Sequence, residues 1–180
     1  MAFDPLARVP LGRTGLNVTR LGLGGASIGG LFNAVSDADA QATLRRAWDL
    51  GIRLFDTAPL YGYGASERRF GAALRGEPRD SFVLSTKVGR LVRRPEEIPP
   101  DADVDHQLFD GRDDAFYVVA DPVRIVFDYS GDGVRRSIEE SLERLRLDRI
   151  DIALITTPTI TGRRRSTAHT RCWRGCARRV

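Results

Sequence analysis

Apolar residues recur along this chain in two alternating periods. Arg13-Thr14-Gly15 joins two short apolar runs and predicts a hairpin, after which Arg20–Gly24 (RLGLG) predicts a strand running into the glycine-rich GGASIGG. Ala40, Leu44, Ala47 and Trp48 then share one helical face, behind Ser36 as N-cap with Asp39 as its acidic partner, and Gly51 ends the helix. Arg53–Asp56 predicts a second strand that stops at a carboxylate. Phe70, Ala73 and Leu74 mark a second helix capped by Ser66. Phe82–Thr86 predicts a third strand, which stops at Lys87. Val134, Ile138, Leu142 and Leu145 mark a third helix capped by Asp132, and Ile150–Ile155 predicts a fourth strand.

Strands and helices therefore alternate, and the strands are continuous apolar runs. That combination predicts a parallel sheet covered by helices. Residues 91–131 break the rhythm. They are rich in Pro, Asp and Arg and too long for an ordinary βα connection, so they predict an elaborated loop, with a short strand at Phe116–Val119. No internal repeat of solenoid length is present.

Composition narrows the class. The chain has 180 residues, 42% hydrophobic and 29% charged, which suits a globular domain with a substantial core. No apolar run approaches the ~18 residues of a membrane-spanning helix, and MAFDPLARVP lacks the apolar core of a signal peptide, so the cytoplasm is the expected location and no membrane partner is expected. The net charge is +4, yet residues 156–180 hold seven arginines and no Asp or Glu, leaving residues 1–155 at −3. All of the basicity and both cysteines, Cys172 and Cys176, belong to the tail. Of the 28 basic residues only Lys87 is a lysine. In a chain that otherwise uses Arg, a retained Lys marks a place where an amine is needed, because a guanidinium cannot shift its pKa into a useful range.

Three residues near strand ends carry candidate chemistry: Asp56, Tyr61 and Lys87. In a (β/α)₈ barrel the C-terminal strand ends converge on one mouth. A lysine ammonium beside a phenol is expected to lower the phenol pKa from ~10 toward neutrality. Such a tyrosine can protonate a carbonyl oxygen or, in reverse, deprotonate an alcohol. The aspartate would hold the lysine charged and in place. Each residue has a plainer explanation as well: Asp56 as a loop cap, Tyr61 as a packed aromatic, Lys87 as a solvated strand end. Their convergence favours chemistry.

The runs FDTAPLYGYGASE (Phe55–Glu67) and LSTKVGR (Leu84–Arg90) resemble the aldo-keto reductase superfamily. Phe127–Ile155 is similar to the branch of sugar 1-dehydrogenases and pyridoxal 4-dehydrogenases, and the likeness runs from about Val9 to Ile155. The resemblance implies an α/β fold of the (β/α)₈ TIM-barrel family, here its N-terminal half, with the hairpin closing the barrel bottom and about four βα units above it. It implies hydride transfer between NADP or NAD and a small carbonyl or alcohol substrate, such as an aldehyde, sugar or pyridoxal. It implies Asp56, Tyr61 and Lys87 as catalytic residues, and Gly24, Gly25 and Ala26, with Asp56, as the cofactor side of the pocket. No G-x-G-x-x-G dinucleotide fingerprint is present.

The family's fourth catalytic residue is a histidine in a run like LIHDPD, and Thr156, in LITTPT, occupies its place. A stretch coding Ile-His-Asp-Pro-Asp-Asp-His, read one base out after its first codon, yields Ile155–Thr161 as written. Shifted likewise, Thr167–Cys176 can read as an amphipathic helix. Residues 1–155 are thus expected to be the N-terminal part of a barrel, and residues 156–180 an out-of-frame, non-native tail on a truncated chain. That origin sets aside the tail's arginines as a nucleic-acid arm and His169, Cys172 and Cys176 as metal ligands. The expectation is an NAD(P)-dependent oxidoreductase by lineage, with negligible activity in this form. The alternatives are a non-catalytic binding or regulatory subunit and a gene fragment without function.

Overall fold

A computed structural model describes residues 3–105, Tyr117 and residues 122–155. In chain order its elements are β1 (Arg8–Pro10), β2 (Asn17–Thr19), β3 (Leu23–Gly24), α1 (Asp37–Asp49), β4 (Leu54–Asp56), α2 (Ala65–Leu74), β5 (Val83–Val88), β6 (Arg90–Arg93), β7 (Asp103–Val104), β8 (Arg124–Phe127), α3 (Gly131–Leu145) and β9 (Ile152–Ile155). The predicted hairpin is the antiparallel pair β1–β2, with Val9 opposite Val18. The parallel sheet has the order β3-β4-β5-β9. Each parallel strand lies beside the next one in the chain, which is barrel order and not the reversing order of a doubly wound sheet. The described residues hold three βα units and a fourth strand.

Local chemistry sets the helix ends. Ser36 accepts from the Asp39 amide at 3.1 Å and donates to the Asp39 carboxylate at 2.6 Å, as its sequence position predicts. Gly51 closes the turn after α1 at φ +93°. The cap of α2 differs from expectation. The chain enters that helix through Gly62, Tyr63 and Gly64, all at positive φ, and Gly64 is the N-cap. Ser66 is buried within α2, where its hydroxyl donates to the Gly25 carbonyl at 2.9 Å and accepts from Thr57 at 2.8 Å. For α3 the cap is Ser130, accepting from the Gly133 amide at 3.0 Å, while Asp132 lies in the first turn, where its charge suits the helix dipole.

The core lies between the sheet and the helices. Leu44, Phe55, Phe70, Leu74, Leu84 and Leu145 are buried there. Phe55 is its hub: ring centroids of Trp48, Phe70 and Phe82 lie 6.3, 5.9 and 6.2 Å from it. At the strand bases, Asp151 accepts from Arg79 at 2.6 Å and from the Leu84 amide at 2.8 Å, tying β9 to β5.

Residues 91–131 hold more structure than their composition predicts. β6, β8 and β7 form an antiparallel sheet in that order, with Arg90 opposite Phe127 and Asp103 on the other side of Phe127. Runs this short carry little period signal, and their pairing is between residues far apart in the chain. Of the strand predicted at Phe116–Val119, only Tyr117 lies within the described residues, and it makes an isolated antiparallel bridge with Leu31. Thr156 and the rest of the tail lie outside the described residues.

Candidate active site

The site begins with strand alternation. Successive side chains of β5 point to opposite faces, so Ser85 and Lys87 share one face while Leu84 and Thr86 share the other. Asp56, the last residue of β4, is in register with Ser85. On this face the Lys87 ammonium donates to Asp56 Oδ1 at 2.5 Å and to the Thr57 carbonyl at 3.0 Å. The Ser85 hydroxyl donates to the same Asp56 oxygen at 2.8 Å. The carboxylate therefore orients the lysine, as expected, and Ser85 orients the carboxylate, a contact that sequence reasoning missed.

Tyr61 sits in the loop between β4 and α2. Its position is fixed through its backbone: a Cβ on Gly29 would fall 2.6 Å from the Tyr61 carbonyl carbon. Part of the GGASIGG run is thus a close approach that only glycine permits. The Lys87 ammonium stands 5.5 Å from the centroid of the Tyr61 ring. The three candidates meet, but their electrostatics differ from expectation. Burial and the Asp56 carboxylate raise the Tyr61 phenol above its ordinary value, and Arg90 draws it back down. The Tyr61 phenol is thus raised and not lowered toward neutrality.

An aromatic wall stands beside the trio. The Tyr117 ring lies 6.1 Å from Tyr61 and 6.3 Å from Tyr63, in an apolar cluster with Leu31, Ile125 and Phe127. Burial pushes the Tyr63 phenol up to about 12 and raises that of Tyr117 as well. Nothing near Tyr117 in sequence marks it for this place; its backbone is held by the bridge to Leu31.

The three residues after β3 divide. Gly24 is exposed and in register with Asp56, and a Cβ there would meet no atom within 4 Å. Side chains in register share a face, so Gly24 leaves open space beside Asp56. Gly24 and Asp56 are the residues on this face that could border a bound cofactor. Gly25 faces away: its missing Cβ points at Ser66 and Phe70, and its amide donates to the Asp56 carbonyl at 2.7 Å. Ala26 precedes the short helical turn Ser27–Gly29 and is half-buried. Among the described residues no helix is long and apolar enough to cross a membrane, and no cluster of three His, Cys, Asp or Glu side chains is placed to hold a metal. His169, Cys172 and Cys176 lie outside those residues.

Known proteins share this fold. The model of the Aldo/keto reductase family matches residues 20–162. A D-threo-aldose 1-dehydrogenase of Pseudomonas sp is 48% identical over 145 residues, which are 80% of this chain and 41% of the relative. A pyridoxal 4-dehydrogenase of Microbacterium luteolum is 46% identical over 151 residues, 81% of this chain and 41% of the relative. The solved structure of a glycerol dehydrogenase from Gluconobacter oxydans is 27% identical with a TM-score of 0.58, covering 84% of this chain and 39% of that one. The chain thus spans about two fifths of the length of the curated relatives it matches.

Proposed function

The chain belongs to the Aldo/keto reductase family, and from that premise we propose that it serves hydride transfer between a nicotinamide cofactor, NADP or NAD, and a small carbonyl or alcohol substrate of the sugar or pyridoxal type. The observation that carries this is the Lys87 ammonium held between Asp56, at 2.5 Å, and the Tyr61 ring, at 5.5 Å, at the ends of neighbouring parallel strands. Gly24 and Asp56 would border the nicotinamide ring, and the cofactor would supply or accept the hydride. The Tyr61 hydroxyl gives its proton to the carbonyl oxygen during reduction and takes it back from the alcohol during oxidation. Its raised pKa keeps it protonated near neutral pH, which suits the donor role. Lys87 and Asp56 fix the polar floor, and the aromatic wall keeps water from one side of the phenol.

With Thr156 in place of the family's imidazole, steady turnover by this chain alone is expected to be negligible, and a single hydride transfer slow. The test is single-turnover oxidation of NADPH and NADH by glyceraldehyde or pyridoxal, followed by fluorescence. A slow, saturable signal is expected, reduced about 10²-fold or more in Tyr61→Phe. A rate that Tyr61→Phe leaves unchanged would overturn the assignment.

A further inference from the structure

The one lysine of the chain stands where an aldehyde would arrive. All the other basic side chains, of 28 in total, are guanidinium groups. A guanidinium stays protonated at any working pH, so it does not condense with carbonyl compounds. Lys87 carries the only side-chain amine, and its nitrogen lies 5.5 Å from the centroid of the Tyr61 ring. A carbonyl that accepts a hydrogen bond from the Tyr61 hydroxyl is therefore brought close to that amine. A neutral amine would attack the carbonyl carbon. A C–N bond forms, the carbonyl oxygen leaves as water, and an imine remains with no change of oxidation state.

Two acceptors hold the Lys87 nitrogen: Asp56 Oδ1 at 2.5 Å and the Thr57 carbonyl at 3.0 Å. Thr57 is buried and its amide donates to the Ser85 carbonyl at 2.9 Å, so its backbone is fixed against β5. The Ser85 hydroxyl donates to the same Asp56 oxygen at 2.8 Å, and the Lys87 side chain is only 15% exposed. We propose that Asp56 protects Lys87 as well as orienting it: with the Thr57 carbonyl it keeps the nitrogen as an ammonium, which has no lone pair to offer, so that an aldehyde at Tyr61 is left for hydride transfer and is not captured as an imine. This rests on Tyr61 as the group that meets the substrate carbonyl. The titratable groups that face Lys87 among the described residues are Asp56, at the end of β4, and Tyr61, in the loop after it. An opposite charge in contact favours an ammonium over its amine by about tenfold or more.

Cyanoborohydride reduces imines and spares aldehydes, so it fixes each imine as a secondary amine. The full chain is incubated with pyridoxal and cyanoborohydride at mildly alkaline pH, without nicotinamide, then digested, and the adduct on Lys87 is followed by mass spectrometry. The parent should label slowly, and Asp56→Asn about tenfold or more faster. Arg144→Met is the control for loosening, since it breaks the Glu67 pair between α2 and α3 and leaves both acceptors of Lys87 in place. Its labelling should stay within about twofold of the parent. If Asp56→Asn loses its helical circular dichroism, Asp56→Ser removes the charge in its stead, with the same expectation. Equal rates in the parent and a folded, charge-removing variant overturn the proposal. So does Arg144→Met labelling as fast as Asp56→Asn, because exposure alone would then explain the gain. Labelling needs no hydride from a nicotinamide, so the protection of Lys87 and the acid–base role of Tyr61 can fail separately.

Discussion

Two carboxylates flank β5, one on each side, and they are built alike. Asp56 accepts from the Ser85 hydroxyl at 2.8 Å and from Lys87 at 2.5 Å. Glu67 accepts from the Thr86 hydroxyl at 2.7 Å and from Arg144 at 2.6 Å. Adjacent residues of one strand thus serve opposite faces. The surroundings differ. The Glu67 side chain is 0% exposed, whereas that of Asp56 is 37% exposed. The sealed pair extends into a network: Arg144 also approaches Glu140 at 3.7 Å, and Glu140 binds Arg93 at 2.5 Å, linking α2 through α3 to β6. A fully desolvated carboxylate survives only if its partners are complete, so Glu67 is committed to architecture. Asp56 keeps a face toward solvent, and a ligand can reach it.

The contrast can be broken most severely from the sealed side. Arg144→Met leaves the Glu67 charge buried with the Thr86 hydroxyl as its remaining partner among the described residues, and urea unfolding should show a loss of about 3–5 kcal/mol. Adding Glu67→Met should recover most of that loss, because two apolar side chains need no charge partner. A smaller effect is expected on the open side. Asp56→Asn should lower stability by under about 1 kcal/mol, since water already screens the pair, while the single-turnover signal falls as Lys87 loses its anchor. Equal losses of stability at the two carboxylates would show that exposure does not separate their roles.

The smallest effect concerns alkali. Tyr63, on the mouth side, ionises near 12 in the fold against ~10 in an unfolded chain. Its neutral form is favoured by folding, so that contribution is complete below ~10 and is lost as pH rises through about 12, where the unfolded chain binds fewer protons than the folded one. Tyr63→Phe should move the alkaline unfolding midpoint, followed by circular dichroism, upward by a fraction of a pH unit.

The helix side of this molecule was readable in advance because its signals are local. Ala40, Leu44 and Ala47 repeat at helical spacing and are all buried, and Ser36 caps as its position predicts. Ser66 misled for an instructive reason. A serine before an apolar helical run reads as a cap, but the glycines ahead of it allow a left-handed entry, which frees its hydroxyl to join α2 to the turn after β3. The contact of Lys87 with Asp56 was legible because strand ends converge in any parallel barrel. Arg90 lay in view three residues after Lys87, but its packing on the Phe127 ring depends on a strand that begins more than thirty residues later.

Sequence by itself determined the alternation of strand and helix and the face each element buries, since each follows from periodicity within a few residues. The tertiary structure alone decided which cation each carboxylate and phenol meets, which glycine leaves room beside Asp56, and that Tyr61 is raised and not lowered. Those outcomes depend on burial and on charges from distant elements. Coulomb attraction and desolvation act through space, and the spacing along a chain does not record them.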